Sequence, residues 1–268
     1  MRIGNKDFNL NEHTYIMGIL NVTPDSFSDG GKYNQMDAIL KRVEQMIQEG
    51  AGIIDVGGES TRPGYTLLSE EEEINRIAPV IQEIKDKFDI PVSLDTYKSK
   101  VAVAGIQAGV DLINDIWGLK YDDKMAGVIA ESKLPCCLMH NRKNTDYKNF
   151  IQEVAADLAD TIHIAENAGI TDDKIIIDPG VGFAKSYEQN LQIINCLEEF
   201  HMFGYPILLG TSRKSVIGLT LLLPAEERME GTLATTAMAV MKRCEFVRVH
   251  DIKENARLIK MVEAIMHS

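Results

Sequence analysis

The chain has 268 residues, 45% of them apolar, and a net charge of −12 from 28 basic and 40 acidic side chains. No apolar run approaches the ~18 residues of a membrane span, the opening MRIGNKDFNLNEH lacks the apolar core of a signal peptide, and no block of five basic residues offers a nucleic acid a surface. A cytoplasmic protein with no membrane or nucleic-acid partner is the expectation. Its four cysteines, Cys136, Cys137, Cys196 and Cys244, include no CxxC pair and read as reduced, buried thiols rather than zinc ligands.

In chain order, Arg2–Leu10 reads as two short strands about the turn Gly4-Asn5-Lys6. Tyr15–Val22 is an apolar strand closing on Asn21, followed by a loop rich in Pro, Asp, Ser and Gly. Met36–Gly50 carries apolar residues at 36, 39, 40, 43, 46 and 47, the stripe of an amphipathic helix. Strand-then-helix then repeats. Ile53–Val56 runs into Gly57–Gly64 and a helix opened by Ser69 with Glu72 three residues on, a capping box. Val92–Asp95 precedes Lys98–Ala108, Asp111–Ile116 precedes Asp122–Lys133, and Pro135–His140 precedes a polar loop and Phe150–Asn167. Lys174–Asp178 precedes Tyr187–Phe200, Pro206–Gly210 precedes Arg228–Arg243, and Phe246–His250 precedes Asn255–Met266.

Eight such units without a linker, in about the length usual for the fold, give a single (β/α)8 TIM barrel over residues 1–268 with a short N-terminal β-hairpin. An open doubly wound sheet is the runner-up, weakened because no βα turn carries GxGxxG.

A barrel gathers the C-terminal ends of its strands on one face. Those ends are Asn21, Thr61 with Arg62, Asp95, Asn114, Met139 with His140, Asp178, Lys214, and Arg248 with His250. Taken singly, an Asp here is more often a helix cap or turn former, and His140 is as readily a core histidine. Together they mean more, because a charge or amide among Ile, Leu and Val is costly unless paired or used. Arg248 and His250, two apart on a strand, share a face and with Asn21 and the amides near Thr61 suit a phosphate or pyrophosphate. Asn21 before an acidic, glycine-rich loop suits Mg²⁺ shared with phosphate oxygens. Asp95, Asn114 and Asp178 suit the edge of an amino-substituted planar heterocycle, with Lys214 donating to its acceptors.

At these residues the chain resembles the dihydropteroate synthase family. The segments are LNVTPDSFSDGG (Leu20–Gly31), IDVGGESTRPG (Ile54–Gly64), SLDT (Ser93–Thr96), INDI (Ile113–Ile116), LMH (Leu138–His140), IIDPGVGFAK (Ile176–Lys185), GTSRKSVIG (Gly210–Gly218) and RVHD (Arg248–Asp251), in family order along the whole chain. The resemblance implies a transferase of folate biosynthesis, which condenses 6-hydroxymethyl-7,8-dihydropterin pyrophosphate with 4-aminobenzoate and is the target of sulfonamides. It implies pterin contacts from Asp95, Asn114, Met139, Asp178, Gly210 and Lys214, and pyrophosphate contacts from Asn21, Thr61, Arg248 and His250. It implies Mg²⁺ at Asn21, and a 4-aminobenzoate pocket of Phe27, Arg62, Pro63, Phe183, Lys214 and Ser215. Asn21, Asp95, Lys214, Arg248 and His250 then carry the catalysis, with no covalent enzyme intermediate. It also implies a homodimer, for which Leu233, Ala237, Val240 and Met241 offer an apolar stripe. The segment Asn141–Phe150 departs from the family pattern and has no assigned role. A methyltetrahydrofolate–corrinoid methyltransferase has no use for the pyrophosphate set, and a non-catalytic paralogue is expected to have lost Asn21, Lys214, Arg248 or His250; both rank below.

Overall fold

The structure, a computed structural model, describes residues 1–10, 12–22, 32–59 and 67–268. It opens with the expected hairpin, β1 (Arg2–Ile3) antiparallel to β2 (Lys6–Asp7). Eight parallel strands follow: β3 (Tyr15–Asn21), β4 (Ile53–Gly57), β5 (Val92–Asp95), β6 (Leu112–Asp115), β7 (Cys136–Met139), β8 (Ile175–Asp178), β9 (Leu208–Leu209) and β10 (Phe246–Val249). They pair in the order β8-β7-β6-β5-β4-β3-β10-β9. A parallel bridge from Ile177 to Ile207, just ahead of β9, closes the ring. Outside it lie α1 (Lys32–Glu49), α2 (Glu70–Lys87), α3 (Ser99–Ala108), α4 (Met125–Ser132), α5 (Phe150–Asn167), α6 (Tyr187–Asn195), α7 (Ser215–Leu221), α8 (Met229–Met241) and α9 (Ile252–Met266). This is the (β/α)8 barrel.

Side chains alternate along a strand, so each strand sends one set outward under the helices and the other into the barrel. The lowest inner layer is apolar: Met17, Ile53, Leu112, Cys137, Ile176, Leu208 and Phe246, capped from below by Ile3 and Phe8 of the hairpin. Two residues further along the same strands stand Ile19, Asp55, Asn114, Met139, Asp178, Gly210 and Arg248. Asp95 joins this level through its register with Asn114. One step of the strand period therefore turns a dry floor into a polar one.

Several local readings change. The seventh strand keeps only Leu208–Leu209 of the expected Pro206–Gly210. Pro206 has no N–H for a ladder and contributes only its carbonyl, which accepts from the Ile177 amide at 2.9 Å. The helix α7 was not anticipated at all. Ser69 caps α2 through the Glu72 amide at 3.2 Å, but the Glu72 carboxylate turns to Arg76, so half of the expected box forms. A complete box opens α6, from Ser186 and Gln189. In the apolar stripe of α8, Val240 faces the core, 3% exposed, whereas Met241 is 61% exposed. Cys136, Cys137 and Cys244 are buried and Cys196 half-buried, all as free thiols. Among the described residues no helix is long and apolar enough to cross a membrane.

Candidate active site

A cavity of about 400 Å³ opens at the C-terminal ends of the strands, with Asn21, Asp95, Gly210, Lys214, Arg248 and His250 in its wall. Its floor is an ion cluster. Arg248 donates from Nε to Asp55 Oδ2 and from Nη2 to Asp95 Oδ2, each at 2.6 Å. One guanidinium facing two buried carboxylates leaves one negative charge in excess. Burial, opposed by Arg248 and reinforced by Asp55 and Glu73, accordingly pushes Asp95 up to about 7. The Arg248 guanidinium, despite its burial, is held firmly in the charged form by Asp55 and Asp95. Asp55 is fully buried and its Oδ1 has no hydrogen-bond partner among the described residues.

Next to this floor, burial raises Asp178 above the ordinary carboxylate range, against the pull of Lys214 and a bond from the Gly180 amide. That amide donates to Asp178 Oδ1 at 2.7 Å. Burial also draws Lys214 down to about 8. Its Nζ donates to the Val181 carbonyl and lies 4.6 Å from the centre of the Phe183 ring. Met139 packs with Tyr97, Ile116, Trp117 and Phe183, an apolar cluster beside the acceptor side chains. A planar ring with polar edges has its complement here.

At the mouth, His250 Nδ1 lies 2.9 Å from Ser212 Oγ, and the His250 carbonyl accepts from Arg42 at 2.9 Å. Arg228 donates to the Arg213 carbonyl at 2.9 Å, and Arg213 Nε to Asp251 at 3.1 Å. These bonds fix the segment that delivers Ser212, Lys214 and Ser215 to the cavity.

Of the expected pterin residues, Asp95, Gly210 and Lys214 line the cavity, and Asn114, Met139 and Asp178 occupy the inner layer of the barrel. Of the pyrophosphate set, Asn21, Arg248 and His250 line it. Of the 4-aminobenzoate set, Phe183, Lys214 and Ser215 do. Phe27, Thr61, Arg62 and Pro63 lie outside the described residues. One expectation is corrected: His140 does not face the cavity. It is one residue beyond Met139, so it takes the opposite side of the strand and meets Asp157 of α5, with Nε2 2.9 Å from Oδ2.

Sequence reasoning missed Asp55, although the signal was the one applied to Asn114, a charge inside an apolar strand. It also missed a second buried cluster. Lys98 donates to Glu59 and Glu73, each at 2.7 Å, and the Tyr97 hydroxyl to Glu59 at 2.6 Å. Glu73, in the first turn of α2, is 2% exposed and belongs to this cluster.

The pterin-binding enzyme family model matches residues 17–250. Dihydropteroate synthase of Clostridium beijerinckii is 62% identical over 99% of both chains. Among solved structures, dihydropteroate synthase from Clostridium difficile in the presence of pteroic acid superposes with a TM-score of 0.95 at 46% identity, over 98% of this chain and 100% of that one. The Xanthomonas albilineans enzyme with 4-aminobenzoic acid gives 0.91 at 37% identity, over 96% of this chain and 94% of that one. With the eight motifs in order, the barrel and an acid-and-lysine slot at its mouth, the chain belongs to the dihydropteroate synthase family of pterin-binding enzymes.

Proposed function

We infer that the chain, as one barrel spanning residues 1–268, condenses 6-hydroxymethyl-7,8-dihydropterin pyrophosphate with 4-aminobenzoate to give 7,8-dihydropteroate and pyrophosphate. The observation that carries the reading is the polar inner layer, where Asp95, Asn114 and Asp178 stand with Lys214 beside a mouth bearing Asn21 and His250. The acceptors and the lysine take the edges of the pterin, with Met139 and Gly210 against its faces. Asn21, His250 and Arg248 meet the pyrophosphate, joined by Thr61. Phe183, Lys214 and Ser215 form one wall for 4-aminobenzoate, completed by Phe27, Arg62 and Pro63, and sulfonamides compete there.

In the reaction the C–O bond to pyrophosphate breaks, a C–N bond to the aromatic amine forms, and the amine gives up a proton. Positive charge grows on the pterin methylene as the anion departs. Asp95 and Asp178 hold negative potential beneath the ring, and Arg248 and His250 stabilise the departing anion. Held by the barrel, these charges are already oriented and need little reorganisation as the reaction proceeds. The protein then needs no nucleophile, and mass spectrometry of quenched turnover should find no pterin–protein adduct; an adduct that forms and decays at the turnover rate would refute the scheme.

Mg²⁺ fits the donor set as an ion held mainly by substrate. Asn21 presents a carboxamide to the cavity, and the described residues include no group of three or more His, Cys, Asp or Glu able to cage a metal. Bound there, the ion would neutralise charge on the leaving pyrophosphate. A cytoplasmic homodimer completes the proposal; Leu219, Leu222 and Met241, at 59%, 87% and 61% exposure, give α7 and α8 an apolar outer face.

The deciding experiment is pyrophosphate release from the pterin pyrophosphate and Mg²⁺, with and without 4-aminobenzoate. Amine-dependent release with equimolar dihydropteroate supports the function. Pterin binding without release would overturn it.

A further inference from the structure

On the far side of β7 and β8 from the cavity lies a polar cluster that the reaction leaves unused. Lys185 Nζ has three partners: His140 Nδ1 at 2.8 Å, the Gly180 carbonyl at 2.8 Å and the Phe183 carbonyl at 3.0 Å. Burial draws Lys185 down to about 7, opposed by Asp178; as an ammonium it donates to both carbonyls, and Nδ1 accepts its third proton. His140 is then neutral with its proton on Nε2, which donates to Asp157 Oδ2. Burial, reinforced by Lys185, holds His140 down to about 3, in keeping with that tautomer. Asp157 also receives Arg142 Nε. Arg142 stacks over Tyr147, 4.4 Å from the ring centre, and the Tyr147 hydroxyl donates to the Ala184 carbonyl at 3.0 Å.

Both arms end on one short turn. Gly180, Gly182 and Ala184 all have positive φ, at 75°, 86° and 47°. At the non-glycine Ala184 this conformation is strained, and such strain persists only where surrounding bonds hold it. The turn carries Phe183 into the cavity wall, and it is also held by Lys214 on the Val181 carbonyl, by Asp178 Oδ1 on the Gly180 amide and by Asn190 Oδ1 on the Gly182 amide. Arg142 and Tyr147 come from Asn141–Phe150, the segment without a role in the sequence.

We propose that Lys185, braced by His140 and Asp157 and assisted by Tyr147, is a positioning residue for the amine acceptor: it fixes the Gly180–Ala184 turn so that Phe183 stands as a wall of the 4-aminobenzoate subsite. This rests on the assignment of Phe183 to that subsite. The Asp178 backbone has its own anchor, because it ends β8 in register with Met139 and its carbonyl accepts from the His140 amide at 2.8 Å, while the turn touches its carboxylate through the Gly180 amide. Loss of the clamp therefore falls mainly on the 4-aminobenzoate side.

The test uses Lys185→Met and Tyr147→Phe with two readouts: steady-state kinetics in both substrates, and hydrogen exchange of the 180–184 amides without ligand. For Lys185→Met the KM for 4-aminobenzoate should rise about tenfold, with kcat and the KM for the pterin pyrophosphate within about threefold of the wild type. The turn amides should exchange faster. Tyr147→Phe, which removes a single hydroxyl, should move both readouts the same way by about threefold. Equal rises in both KM values, or unchanged exchange and unchanged KM for 4-aminobenzoate, would overturn the proposal. Should Lys185→Met fail to fold, Tyr147→Phe decides by the same criteria. A wild-type protein with no turnover would sink the proposed activity instead, and the exchange data would still judge the clamp.

Discussion

Removing the Arg248 side-chain charge should destabilise the barrel more than its place in a substrate site would suggest. In Arg248→Met, two charge-assisted bonds of 2.6 Å disappear, and both acceptors stay behind. Asp55 is fully buried, with one oxygen already unpartnered among the described residues, and the Asp95 side chain is 8% exposed. Breaking a buried pair by deleting one partner costs about 3–5 kcal/mol, because a desolvated charge is left uncompensated. The cost should depend on pH. Asp95 sits at about 7 when folded, above its ordinary value, so the folded state binds more protons than the unfolded one. Stability due to this group is present at acid pH and is lost as pH rises through about 7. Without the guanidinium Asp95 rises further, and its protonation relieves the uncompensated charge. Urea unfolding should therefore show the full deficit near about pH 8 and a clearly smaller one near about pH 5.5. The double variant Arg248→Met/Asp55→Asn should recover about half of the loss. A deficit under about 1 kcal/mol, or one that grows on acidification, would refute the reasoning.

Other outcomes follow from the same geometry. Lys214→Met should lower kcat/KM by about 100-fold or more, since the proposed pterin and 4-aminobenzoate positions lose their donor together; kinetics in each substrate checks it. In the wild type, Lys214 at about 8 loses its charge as pH rises past that value, so kcat/KM should fall on the alkaline side, and Lys214→Arg should push that limb to higher pH in a pH–rate profile. Lys98→Met should cost about 3 kcal/mol, because Glu59 and Glu73 would share a buried site without their cation; thermal or urea unfolding measures it. Gly180→Ala should yield little folded protein, since its Cβ would stand 2.0 Å from the His140 carbonyl at a φ of +75°; soluble expression and circular dichroism test that.

The eight strand-and-helix units and most of the strand-end residues that line the cavity were legible in the chain itself. The reason is local: a barrel strand is buried on both faces, so its sequence is an apolar run, and any amide or charge at its end stands out. Asn114, Asp178 and Arg248 were visible in this way. Which neighbour takes the cavity was not, because Met139 and His140 differ by one step and only the register of β7 against β8 fixes the parity. Nor was the pairing of charges far apart in the chain. Arg248 finds Asp55 across 193 positions, and Lys98 finds Glu73 across 25. Such partners are chosen by where the closed ring places each strand. The sequence by itself determined the barrel, its polar rim and the chemistry that rim serves. Only the tertiary structure decided that Arg248 is anchored on two acids and that Lys185 braces the Phe183 turn, because burial makes every charge find a partner and the fold alone decides which one is within reach.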